Sequence, residues 1–95
     1  MKEYKVEITS EGRAGNVFYK ETDGKLTFWW EFSMNGASIR IPSDEKWNSF
    51  CKSENAQWAT NRKVEIVRRI ADETKLQRAS TAKIKIENEW INLLF

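Results

Sequence analysis

The run from residue 26 to residue 41 constrains the fold most, because it encodes a hairpin together with a pairing register. Asn35 and Gly36 form a strong two-residue turn signal, since both central positions of a type I′ turn need positive φ and these residue types tolerate it best. As the loop, they pair Met34 with Ala37, Ser33 with Ser38, Phe32 with Ile39, Glu31 with Arg40 and Trp30 with Ile41. Apolar residues then meet apolar residues on one face, while on the other a hydroxyl meets a hydroxyl and an acid meets a base. A slip of one residue would set Glu31 against an isoleucine, so the pattern selects its own register.

Asp23 and Gly24 give a second turn of the same kind, which opposes Lys20 to Thr27, Tyr19 to Phe28, Phe18 to Trp29 and Val17 to Trp30. A three-stranded meander follows. One face carries Val17, Tyr19, Leu26, Phe28, Trp30, Phe32, Met34, Ala37, Ile39 and Ile41, and is the expected core face. The other is polar, with Lys20, Thr27, Glu31, Ser33, Ser38 and Arg40, except where Phe18 and Trp29 interrupt it side by side.

Upstream, residues 3–9 alternate strictly, with Tyr4, Val6 and Ile8 on one side, and read as a half-buried strand. Pro42 ends pairing, because it lacks the ladder donor. Ser43, Asp44 and Glu45 then predict a helix start, with Ser43 as N-cap and acids in the first turn. Trp47, Phe50 and Cys51 make its apolar stripe. Ile66, Val67 and Ile70 fall about 100° further round an ideal helix, so a break is expected between Ser53 and Asn61, with a second helix over residues 61–77. Residues 81–87 alternate again, and a turn at Asn88 and Glu89 would pair Ile86 with Ile91 and Ile84 with Leu93. The predicted fold is α+β: an antiparallel meander of four to five strands, with one or two helices on the Trp30 face inserted before the last strands. Ninety-five residues, 40% of them hydrophobic, suffice for one domain over 1–95 with a single small core.

Several classes of chemistry lack their residues. The chain has no His and one Cys, which removes the commonest general base and the usual zinc ligand sets. No Gly-rich phosphate loop, nucleophile elbow or paired-carboxylate motif is present. The expectation is a non-catalytic protein with no cofactor and no metal. One Cys cannot close an internal disulfide, and no apolar run is long enough for a signal peptide or a membrane span, so a cytoplasmic location is expected. Cys51, within the apolar stripe, reads as a small buried hydrophobe rather than a reactive thiol.

Two surfaces remain as candidates. Phe18 and Trp29, flanked by Glu31 and Arg40, suit protein recognition or homodimer formation, since interfaces enrich aromatics and arginine. The bland readings are that the two rings stiffen the sheet, or that a helix or the C-terminal segment covers them. Nucleic acid is the second candidate partner. It would use Arg62, Lys63, Arg68, Arg69, Lys75 and Arg78, from a region (62–85) with eight basic and three acidic residues, or stack bases on Phe18 and Trp29. Against the basic helix, Glu65 precedes Arg69 by four and Arg68 precedes Asp72 by four, the spacing of a solvated face laced with ion pairs. A small-molecule pocket between sheet and helices, lined by tryptophans, is the third reading. The terminal Leu93, Leu94 and Phe95 need docking, in the core or against a partner.

Overall fold

Alternating apolar and polar residues in the first forty positions become four hairpin-linked strands: β1 (Tyr4–Glu11), β2 (Ala14–Glu21), β3 (Gly24–Ser33) and β4 (Gly36–Arg40). The computed structural model describes residues 3–95. Two helices follow, α1 (Trp47–Ser53) and α2 (Lys63–Arg78), with a short 3₁₀ turn at Gln57–Ala59 between them, and then β5 (Lys83–Ile86) and β6 (Trp90–Leu94). All strands join one antiparallel sheet in the order β1-β2-β3-β4-β6-β5. The fold is therefore α+β, with six strands where four to five were expected. The additional strand arises because β6 slots in beside β4, with Ile39 opposite Ile91, and leaves β5 as an edge. Ile86 opposite Ile91 and Ile84 opposite Leu93 match the expected hairpin.

Both upstream hairpins have slipped by two residues from the expected register. Ser33 pairs with Gly36 and Trp30 with Ile39, so the loop is Met34 and Asn35; Glu21 pairs with Gly24, so the other loop is Thr22 and Asp23. The reason is conformational. Among the described residues the only non-glycines with positive φ are Asn55 and Asn61, so neither Asp23 nor Asn35 adopts the type I′ geometry on which the count relied. Gly24 and Gly36 carry the unusual φ instead, at +153° and +144°, as the first paired residues after each loop. Gly36 is further required to lack a side chain, because a Cβ there would overlap the Leu93 carbonyl of β6. A slip of two leaves every side chain on its own face. The expected core face is accordingly buried, except for Met34, which is 91% exposed in the loop, and Phe32, which is 38% exposed near the sheet end.

The first helix begins later than expected. Ser43 does not cap it; Lys46 N–H donates to the Ser43 carbonyl in a preceding turn, and the helix starts at Trp47. Asp44 is engaged elsewhere, its N–H donating to Asn88 Oδ1 (2.9 Å) and its carboxylate accepting from Lys63 Nζ (2.7 Å). The expected break has a clear cause. Asn55 takes φ 55°, Ala56 N–H donates to the Cys51 carbonyl (2.8 Å) and Asn55 N–H to that of Lys52 (3.1 Å), a Schellman ending with asparagine in the left-handed position.

Both helices cover one face of the sheet. Trp47 stacks on Phe28 (6.3 Å between centroids), and its Nε1 donates to the Ala59 carbonyl. Ile66, Val67 and Ile70 of α2 reach the same core, which also buries Cys51. Burial pushes the Cys51 thiol pKa up. Trp47 therefore fills the space between Phe28 of the sheet and the 3₁₀ turn. No helix among the described residues is long and apolar enough to cross a membrane.

Candidate functional site

Strand alternation sends every second residue of the sheet away from the helices. On that open face, Trp29 lies opposite Asn16 of β2, and Phe18 opposite Thr27 of β3, so the two aromatics are diagonal rather than direct neighbours. Trp29 is 44% exposed. Neither the helical layer nor the C-terminal strand covers it: β6 joins the sheet edgewise, as a neighbour of β4. Phe18 is half-buried, with the Lys25 ammonium 5.2 Å from its ring centroid and Glu7 opposite it on β1. The Glu7 carboxyl accepts from Lys20 and Lys5, with Lys20 the stronger cause, and these bonds hold its pKa below the ordinary value.

The expected pair of Glu31 and Arg40 is not a pair. With the register moved by two, Glu31 opposes Ser38 on β4 and Ala14 on β2, while Arg40 opposes Trp90 of β6. The Arg40 guanidinium lies 5.1 Å from the Trp90 ring centroid and bonds Glu89 Oε2 at 3.2 Å. Arg40 and Trp29 also line one shallow concavity of about 310 Å³ with Pro42, Lys46 and Glu89. The outcome is a row on the open face, at the end of β4 and the start of β6, in which Trp29, Arg40 and Trp90 follow one another over β3, β4 and β6. Trp90 was missed as a site residue. The signal that would have found it is the pairing of Ile86 with Ile91, which puts its neighbour on the opposite face.

The basic residues of α2 are mostly committed within the molecule. Arg62 donates from two nitrogens to Glu21 (3.1 and 2.7 Å) and from Nε to Glu65 (2.8 Å); Arg69 reaches Tyr19 Oη (2.9 Å), Glu21 (3.4 Å) and Glu65 (2.9 Å). Lys63 pairs with Asp44, Arg68 with Asp72 (3.2 Å), and Arg78 donates to the Ile8 carbonyl (3.0 Å). Of the six candidates, only Lys75 lacks a polar partner among the described residues.

Tyr19, Glu21, Arg62 and Arg69 thus form a network between the covered face and α2 that sequence reasoning did not single out. Tyr19 Oη also donates to Glu21. Burial first, then this bond to Glu21, push the Tyr19 pKa up to about 12. Burial pushes Glu21 up as well, but the bonds from Arg62 and Tyr19 and the charges of both arginines outweigh it and hold its carboxyl below the ordinary 4.5. Each polar group here already has its partner within the chain, so the network fastens helix to sheet. No family model, no curated protein and no solved structure matches the chain, and the surface has to be read from its own chemistry.

Proposed function

We propose that the chain is a non-catalytic protein-binding module that pairs with a second copy of itself through the open face of its sheet. The observation that carries this reading is Trp29, a large exposed ring on the open face, beside Arg40 stacked on Trp90. Aromatics and arginine at the centre of a polar surface are what recognition patches concentrate. A two-fold pair brings the same patch to both sides, so the patch must complement itself. This one carries an acid two residues along β3 from the ring and a base across from it on β4: a two-fold axis near Trp29 lets Glu31 of one copy meet Arg40 of the other. Charge also favours a protein partner over a polyanion. Around the patch Lys20 is paired with Glu7 and Arg40 with Glu89, and the arginines beside the sheet, Arg62 and Arg69, are held in ion pairs.

Sedimentation equilibrium over rising protein concentration tests the reading. Self-association is expected, weakened at least tenfold in Trp29→Ser with the melting transition retained, and persisting at high salt, where phosphate-driven binding would collapse. Glu31→Arg and Arg40→Glu are each expected to weaken the pair, and the double variant to restore it. A monomer at every concentration, or association indifferent to Trp29→Ser, rejects the proposal.

A further inference from the structure

The two edges of the sheet are finished differently. At β1 the carbonyls of Val6 and Ile8 accept bonds from Gln77 Nε2 (2.9 Å) and Arg78 (3.0 Å), so the end of α2 closes that edge against another strand. At β5 no described side chain does the same. Glu87 N–H donates to the Trp90 carbonyl, which makes residues 87 and 90 a hydrogen-bonded pair. By alternation along an antiparallel ladder, Ile84 and Ile86 occupy the non-bonded positions and direct their N–H and C=O groups outward.

The surroundings of these four groups specify what fits. On the helix side, a cleft of about 370 Å³ opens between α2 and the end of β5, lined by Val64, Val67 and Ile86 and by polar residues that include Asp44, Arg68 and Glu87. Val64 is 86% and Ile86 40% exposed there. On the open-face side stand Lys83 and Lys85, both exposed and without an acidic partner among the described residues. A second copy of the chain is a poor occupant. With its helices on the same side it would offer this row two lysines and a single acid, Glu87, which already accepts from Asn92 Nδ2, and flipped over it would set lysine against isoleucine above the cleft.

We infer that β5 is a docking edge for an extended segment of a partner protein in which acidic residues alternate with apolar ones. The segment adds as a seventh strand, its backbone bonding Ile84 and Ile86, its apolar side chains entering the cleft at Val64 and its acids facing Lys83 and Lys85. The free backbone groups of this edge point sideways along the sheet rather than out of its open face, and the test below reads the two proposals separately.

The test uses the full chain, isotope-labelled for NMR, with a synthetic octapeptide of alternating glutamate and valine and a control with lysine in place of glutamate. The acidic peptide is expected to shift the Ile84 and Ile86 amides and slow their hydrogen exchange, and N-methylation of its alternate amides is expected to abolish binding. In the doubly substituted Lys83→Glu, Lys85→Glu chain its affinity should fall by about tenfold, with preference passing to the lysine peptide. The inference is overturned if neither peptide binds, if both bind alike, if the shifts centre on the Trp29 indole, or if Ile84 and Ile86 are already protected in the free chain through contact with a second copy.

Discussion

Glu21 joins the sheet to α2, and replacing it by Gln tests the fold where its charges are concentrated. The substitution keeps the shape and one acceptor oxygen but removes the charge that faces Arg62 and Arg69. The side chain of Glu21 is 13% exposed, and those of Arg62 and Arg69 are 28% and 26% exposed. Losing one partner of a fully buried ion pair costs about 3–5 kcal/mol, because the other charge is left uncompensated. Two features reduce that here: the guanidiniums keep partial access to water, and Glu65 remains as a second carboxylate at 2.8 Å from Arg62 and 2.9 Å from Arg69. The expected loss is about 2 kcal/mol, which in a domain of this size lowers the melting temperature by roughly 8–16 °C.

The pH dependence gives a sharper check than the midpoint alone. The folded pKa of Glu21 is depressed below 4.5, so its contribution is fully present above that ordinary value and is lost as pH falls through the depressed one. The gap between parent and Glu21→Gln should therefore be constant near neutrality and close on acidification. Glu7, whose partners are Lys20 and Lys5, lies outside the network, titrates in both proteins and cancels in the difference. Thermal unfolding followed by circular dichroism between neutral pH and pH of about 3 reads both quantities. A gap below about 1 kcal/mol at neutral pH, or one that does not narrow in acid, would refute the account of the network.

Two further substitutions bear on the core and the turns. Thr74 is fully buried in α2 and its Oγ1 has no hydrogen-bond partner among the described residues, so Thr74→Val, which keeps the shape and removes the stranded hydroxyl, should raise stability by about 1 kcal/mol in a urea titration. A loss instead would show that the hydroxyl is satisfied. Gly36→Ala should cost at least about 2 kcal/mol, since the new methyl meets the Leu93 carbonyl and the backbone sits at φ +144°. Gly12→Ala, with open space around the added carbon and only its φ of +62° against it, should cost about 1 kcal/mol. Equal costs at the two sites would contradict the close approach of β6 to Gly36.

Much of this architecture was legible in the sequence because strand patterning has a period of two. The face assignment of Val17, Phe28, Trp30 and Ile39 survived a slip of two residues in both hairpins, since such a slip changes partners without changing sides. What did not survive was every inference that depended on a particular partner. Glu31 and Arg40 looked like a cross-strand ion pair and are not, and Arg40 took Trp90 and Glu89 instead, from a strand whose place beside β4 no local pattern announces. The network at Glu21 was hidden for a similar reason. An acid at the end of a strand and two arginines seven residues apart on a helix each read as solvated until the helix is laid across the sheet.

The closing of the β1 edge bears on how the chain folds. Gln77 and Arg78 lie 71 and 70 residues from the carbonyls they cap, so these contacts are among the last the topology can complete. The hairpins of β1 to β4 are local and can assemble first, which leaves an eight-residue strand with an unguarded edge until α2 docks. Strand-to-strand aggregation from which the native state is protected is the expected hazard of that interval, so a refolding yield that rises on dilution is the expected outcome.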